Sequence, residues 1–228
     1  MDRNAIIAVC QVLFFTFIVA AVAIVLLYER KRKKEIKDDC LANGFSYEEK
    51  SDMLAKFIKG YWIGSNGWAH SCSTVCSGTM CGIHFSLMDY YYHIGGKNGG
   101  RTETLCIFHC PDFNVPHFFI REEFFFDGIA EFFGGQDIDF LDDPTFSDKF
   151  LLRGEDEVAV RKYFKYGVRR AFLNKHIKGC CYEGDEGVFI IEVYNHQDKN
   201  QRNAFLSMCI ALFSAIMPKS GDESVSSL

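Results

Sequence analysis

Ala5 to Tyr28 is an unbroken run of 24 residues without a charge. No other stretch limits so strictly what this chain can become. As a helix, with ~1.5 Å rise per residue, the run spans about 36 Å and crosses a hydrocarbon core of ~30 Å with some tilt. A helix also closes its own backbone hydrogen bonds, which the lipid interior demands. The conventionally polar members are Gln11 and Thr16, and Tyr28 ends the run where an aromatic ring with a polar tip prefers to lie. A cleaved secretory signal has a shorter apolar core, basic residues before it and a small-residue cleavage site after it. Here the basic residues follow the run and no such site is present, so residues 5–28 are expected to be an uncleaved transmembrane helix whose partner is the lipid bilayer.

Charge then orients the anchor. On its N-terminal side Arg3 is offset by Asp2, whereas Arg30, Lys31, Arg32, Lys33, Lys34 and Lys37 follow it. The positive-inside rule places that cluster, and everything after it, in the cytoplasm, with residues 1–4 outside. Arg30–Lys34 can also hold anionic lipid head groups, at about 1 kcal/mol per basic residue. Residues 1–34 carry net +4 and residues 35–228 net −9. So acidic a body is a poor binder of phosphate backbones, and no nucleic-acid partner is expected.

The remainder has the length of one ordinary domain. Aromatic residues make up 15% of the chain and Phe alone contributes 23, a composition that builds a packed core rather than a disordered tail. A charged connector, residues 29–45, leads to an expected helix at Ser46–Lys59, with Ser46 and Glu49 forming a capping box and Met53, Leu54, Phe57 and Ile58 its apolar face. Strand-like runs follow at Ser71–Ser77 and Cys81–Ile94, paired around Gly78, then at Arg101–Cys110 and His117–Arg121. A Phe-rich helix is expected at Glu122–Phe133, a strand at Phe150–Arg153, and one long helix from Asp156 to Asn174. Ile177–Glu183 and Val188–His196 read as a hairpin, and Asn200–Met217 as a last helix, a core element by its length of apolar sequence although membrane contact is the alternative. Short connections favour antiparallel pairing, so residues 46–218 are expected to form a single α+β domain, an antiparallel sheet with packed helices, followed by a disordered tail at 219–228.

The stretch from Cys81 to His196 resembles an uncharacterised family of bacterial single-pass membrane proteins. The residues that carry the likeness are Met88-Asp89-Tyr90-Tyr91-Tyr92, Arg101-Thr102-Glu103-Thr104, Asn114-Val115-Pro116-His117-Phe118, Gly135-Gln136-Asp137-Ile138-Asp139-Phe140, Asp143-Pro144-Thr145-Phe146-Ser147 and Leu151-Leu152-Arg153-Gly154-Glu155-Asp156-Glu157. Arg121-Glu122 stands where the family pattern has Pro-Glu, and the cysteines are this chain's own addition. The resemblance implies an anchor plus a cytoplasmic domain at the bacterial inner membrane. It implies no activity.

Ten cysteines remain to be explained. In a cytoplasmic domain thiols stay reduced, which leaves metal binding, catalysis or packing. Cys72, Cys76 and Cys81, with His70 and His84 beside them, form the densest group, and Cys106 and Cys110 share a strand face around His109. Four such soft ligands would hold zinc tetrahedrally, although the spacing lacks a tight Cys-x2-Cys pair; small buried core residues are the alternative. Asp137, Asp139, Asp142 and Asp143 lack the Gly and terminal Glu of a calcium loop and read as turn and cap residues. Gly95–Gly100 lacks the order of a phosphate loop, because Lys97 precedes the required spacing and a strand follows. No nucleophile is paired with a base by its spacing, so no enzymatic activity is assigned. The expected function is a membrane-anchored interaction or scaffolding module with a protein partner; the alternative is a metal-binding or enzymatic domain using the Cys/His cluster between residues 70 and 110.

Overall fold

The computed structural model describes residues 3–65, 67–95, 99–123 and 137–218. Its first element, α1 (Arg3–Ala42), is one helix of 40 residues that runs through both the apolar segment and the basic stretch after it. It is long and apolar enough to cross a membrane, and among the described residues nothing covers its most apolar window. Within that window the Thr16 hydroxyl donates to the Val12 carbonyl at 2.8 Å, so its polar group is satisfied inside the helix.

Eight strands form one sheet: β1 (Ser46–Lys50), β2 (Trp68–Met80), β3 (Ile83–His93), β4 (Gly100–His109), β5 (Phe118–Glu122), β6 (Phe150–Gly154), β7 (Cys180–Asp185) and β8 (Val188–Val193). Their order is β1-β2-β3-β4-β8-β7-β5-β6, and every pairing is antiparallel. Helices α2 (Asp52–Ile58), α3 (Pro144–Ser147), α4 (Glu157–Tyr163), α5 (Tyr166–Lys175) and α6 (Lys199–Ile216) complete the α+β fold.

The two faces of the sheet carry separate cores. The larger packs Phe85, Phe108, Phe118, Phe189 and Tyr182 beneath α3 to α6. Its rings interlock: Phe108 stacks on Phe213 with centroids 4.7 Å apart, and Phe118 meets Phe164 edge-on at 4.9 Å. The smaller core places Met88, Tyr90, Leu105 and Ile190 against Leu54 and Ile58 of α2. Helix α6 turns Phe205, Leu206, Cys209, Ile210, Leu212, Phe213 and Ile216 inward, which makes it a core helix.

Several local expectations are corrected. Ser46–Lys50 is strand rather than helix: Ser46 pairs with Ser77 and donates its hydroxyl to the Ser77 carbonyl at 3.0 Å instead of capping. The helix starts at Asp52, and Met53 points to solvent while Leu54, Ala55 and Ile58 are buried. The β2–β3 hairpin turns at Cys81-Gly82, not at Gly78, and both turn residues have positive φ (54° and 79°), as a two-residue turn matched to strand twist requires. Gly78 lies inside β2, where an added Cβ would fall 2.3 Å from the Phe45 ring. The single helix expected from Asp156 to Asn174 is broken between α4 and α5 at Phe164 and Lys165. Its apolar residues repeat every four positions, a spacing that drifts by about 40° per step around a 3.6-residue helix; the break restores Phe172 to the core beside Phe164. The hairpin of β7 and β8 and the final helix stand where the pattern placed them, within a few residues. Of the helix expected at Glu122–Phe133, Glu122 ends β5 and residues 124–136 lie outside the described residues, as does the tail from 219.

Candidate functional site at the junction of the apolar helix and the sheet

A buried, densely hydrogen-bonded polar group sits where α1 meets the sheet. β2 contains a bulge there: Ser73 pairs with Asp89 and Cys76 with Leu87, so β2 advances three residues while β3 advances two. The extra residue includes Thr74, buried with φ +50°, a conformation costly for a β-branched residue. The strain places the Thr74 hydroxyl 2.7 Å from Asp89 Oδ2, to which it donates.

Asp89 is the centre of the group. Arg32 of α1 grips it with two parallel bonds, Nη1 to Oδ2 at 2.8 Å and Nη2 to Oδ1 at 3.0 Å. Arg202 of α6 donates from Nη1 to Oδ1 at 2.8 Å and from Nη2 to the carbonyls of Thr74 and Leu87, each at 2.9 Å. Arg32 also donates from Nε to the Gln197 carbonyl at 3.1 Å, just before α6 begins. All three charged side chains are buried. Burial alone pushes the Asp89 carboxyl up, but hydrogen bonds from Arg32 and Thr74 and the two guanidinium charges together hold it below the usual carboxylate range. Arg202 is held below its ordinary value by burial, with Asp89 opposing. One acid faces two bases, and the half-exposed Glu29, 3.8 Å from Arg32, offsets part of the excess.

The junction continues along α1. Ile36 and Cys40 are buried, the Asp39 carboxylate accepts from Asn203 Nδ2 at 2.9 Å, and Cys40 is joined by a disulfide to Cys76 of β2. Contacts pair Glu29 with His196, Arg32 with Gln197 and Asp39 with Asn203, so α6 runs parallel to the end of α1.

The five cysteines considered as zinc ligands are not gathered in one place. Cys76 is bonded to Cys40, which corrects the expectation that all thiols are free. Cys72 lies in the smaller core, because the bulge turns it to the opposite side of β2 from Cys76. Its thiol is pushed up to about 12, first by burial and then by Glu48. Cys81 is exposed at the hairpin turn, Cys106 is buried in the larger core and Cys110 is half-buried beyond β4. Among the described residues, no three of His, Cys, Asp and Glu gather as metal ligands would. The acidic loop serves structure: Asp137 Oδ1 accepts from the Leu152 amide at 2.8 Å, and Asp143 Oδ2 accepts from Arg169 Nε at 3.1 Å.

Two further carboxylate sites carry no mark in the sequence. Buried Glu183 accepts from the amides of Trp62 and Ile63, both at 2.8 Å, and lies 2.7 Å from His117 Nε2. Burial lowers the His117 pKa, but the bond to Glu183 and its charge prevail and raise it. On the smaller-core face Glu192 shares a hydrogen bond with Glu103, which also accepts from Tyr92 Oη at 3.1 Å. Burial first, and then Glu103, drives the Glu192 pKa well above the carboxylate range. Alternating strand residues give no sign of such pairs, because the partners come from strands distant in sequence.

No family model and no curated protein sequence matches this chain. Among solved structures it is similar to the mycobacterial trehalose monomycolate transport factor A, TtfA, with a TM-score of 0.62 at 12% identity, covering 85% of this chain and 99% of that one. At that identity the likeness is one of fold.

Proposed function

We propose that this chain is a membrane-anchored accessory domain, a module that holds a protein partner at the bilayer surface rather than an enzyme. The observation that carries this reading is the continuity of α1, which leaves its apolar segment and enters the sheet without a break, fixed there by Arg32, Ile36 and Cys40. A flexible tether only concentrates a domain near the membrane; a helix built into the fold also sets its orientation, which an assembly surface requires. The basic cluster after the apolar run favours the cytoplasmic side of a bacterial inner membrane, and its exposed members Arg30, Lys31 and Lys34 favour contact with anionic head groups. TtfA is a transport factor by name, and from it we take the class of role alone, an accessory to transport.

The test is purification of tagged full-length protein from its own cell in mild detergent, with co-purifying proteins quantified. A second form carries six Gly/Ser residues between Tyr28 and Glu29, which keeps anchor and domain but uncouples them. A near-stoichiometric partner that survives salt and is lost from the interrupted form supports the proposal. Full-length protein that purifies alone overturns it and directs attention to metal content and small ligands at the cysteines between residues 72 and 110.

A further inference from the structure

We propose that Cys40 and Cys76 are a reversible thiol–disulfide pair that locks the emerging end of α1 onto β2. The orientation argued above is part of this reading, because it places the pair where cellular reductants hold most thiols reduced.

Three observations converge on these two residues. First, they meet by tertiary structure, not by chance proximity in sequence. Cys40 lies in the last turn of α1, Cys76 lies 36 residues later, and their Cα atoms stand 6.0 Å apart, within the range a disulfide spans. The β2 bulge aims Cys76 at α1, whereas Cys72 turns into the smaller core. Second, in the linked state the Cys40 sulfur already lies 3.1 Å from the Ser46 carbonyl, an acceptor for its thiol once the bond is reduced. Third, the pair borders a small cavity between α1 and α6 that is also lined by Asp39, Lys199 and Arg202. The thiolate is the form that attacks a disulfide. The other described cysteines are free, and Cys106, Cys180 and Cys209 are sealed in the larger core.

The flanking charge and the bond are in tension under any permanent arrangement. A disulfide on the reducing side of a membrane is typically transient or redox-sensing rather than constitutive. The exchange balances with a disulfide-bearing donor, an oxidoreductase disulfide or a low-molecular-weight one. One cysteine thiolate attacks a donor sulfur and releases the first donor thiol. The second then attacks the mixed disulfide, closing the Cys40–Cys76 bond and releasing the second donor thiol. The pair loses two electrons and two protons, and the donor gains both.

What the lock controls follows from its position. Arg32 and Cys40 are eight residues apart, about 12 Å along the helix. Arg32 is bonded to Asp89 at one end of this segment, and at the other the edge strand β1 pairs with β2 alone, so the bond between Cys40 and Cys76 adds the covalent link between the end of α1 and that edge. Opening is expected to be confined to residues 36–50.

The experiment uses full-length protein in native membranes. Cells are taken untreated, exposed to a thiol oxidant, or allowed to recover; free thiols are trapped by alkylation and the 40–76 linked peptide is quantified by mass spectrometry. Purified full-length protein in detergent is then poised with reduced or oxidised glutathione and its amide exchange measured. The expected result is a pair mostly reduced at rest, linked after oxidant, free again on recovery, with exchange in residues 36–50 faster by about tenfold or more in the reduced form. Absence of the linked peptide under oxidant overturns the proposal, as does equal exchange in the two states. Labelling of exposed Cys81 by a membrane-impermeant reagent separates the remaining outcomes. A permanently linked pair with Cys81 shielded inside the cell overturns the lock alone. A permanently linked pair with Cys81 labelled from outside overturns both the lock and the cytoplasmic orientation.

Discussion

Replacing Asp89 by Asn removes the one full negative charge at the centre of a buried site that holds two guanidinium groups, while leaving shape and volume nearly unchanged. Arg32 and Arg202 together donate three hydrogen bonds to that carboxylate, and neither can reach water in its place because both are buried. Leaving buried charges uncompensated costs about 3–5 kcal/mol, a large share of the ~5–15 kcal/mol that holds an ordinary domain folded. With a urea slope of ~2–3 kcal/mol/M, the unfolding midpoint of the full-length protein in mild detergent falls by roughly 1–2.5 M. Fluorescence of Trp62 and Trp68 reports the transition. Acid provides a second reading. Because the Asp89 pKa is depressed on folding, its contribution is present above the ordinary carboxylate value of about 3.9 and is lost as pH falls through the lower folded value. Stability curves of wild type and Asp89→Asn therefore converge in strong acid and separate at neutral pH. A midpoint shift below about 0.3 M at pH 7, under 1 kcal/mol, would refute the argument that this carboxylate anchors the junction.

Three further outcomes are expected. Glu192→Gln is neutral or stabilising at pH 8 and flattens the stability profile, because a carboxyl whose pKa rises on folding favours the fold at low pH and loses that contribution as pH climbs past about 4.3 toward the raised value; denaturation midpoints at pH 5 and 8 check this. His117 has a raised pKa, so its contribution is full below about 6.5 and fades as pH rises through the folded value; His117→Gln keeps a donor for Glu183 and should remove that alkaline decline in the same assay. Gly78→Ala sets a methyl against the Phe45 ring, 2.3 Å away in the present arrangement, and is expected to cost about 1–3 kcal/mol by overpacking, read as a lower midpoint with the β1 edge exchanging faster.

How much of this could be read from the chain depends on the range of the forces involved. The apolar run, the β7–β8 hairpin and the final helix follow from pattern and composition, which act over a few residues, and all three stand in the structure. Ser46–Lys50 failed that reasoning because five residues with helix-start chemistry are too few to outweigh the backbone hydrogen bonds on offer along β2. Cys72 and Cys76, four apart, share a face in any regular strand; a single bulge at Thr74 separates them and hands Cys76 to Cys40.

The long apolar helix, the sign of the charge that follows it and an α+β body rich in Phe are legible in the residues alone, because each rests on local composition or periodicity. That Arg32, one of six basic residues after the run, is buried against Asp89 while Lys31 stays in solvent emerges only from the folded chain. A buried charge is tolerated only beside partners that the whole fold brings together, here Asp89 from β3 and Arg202 from α6, 57 and 170 residues away along the chain.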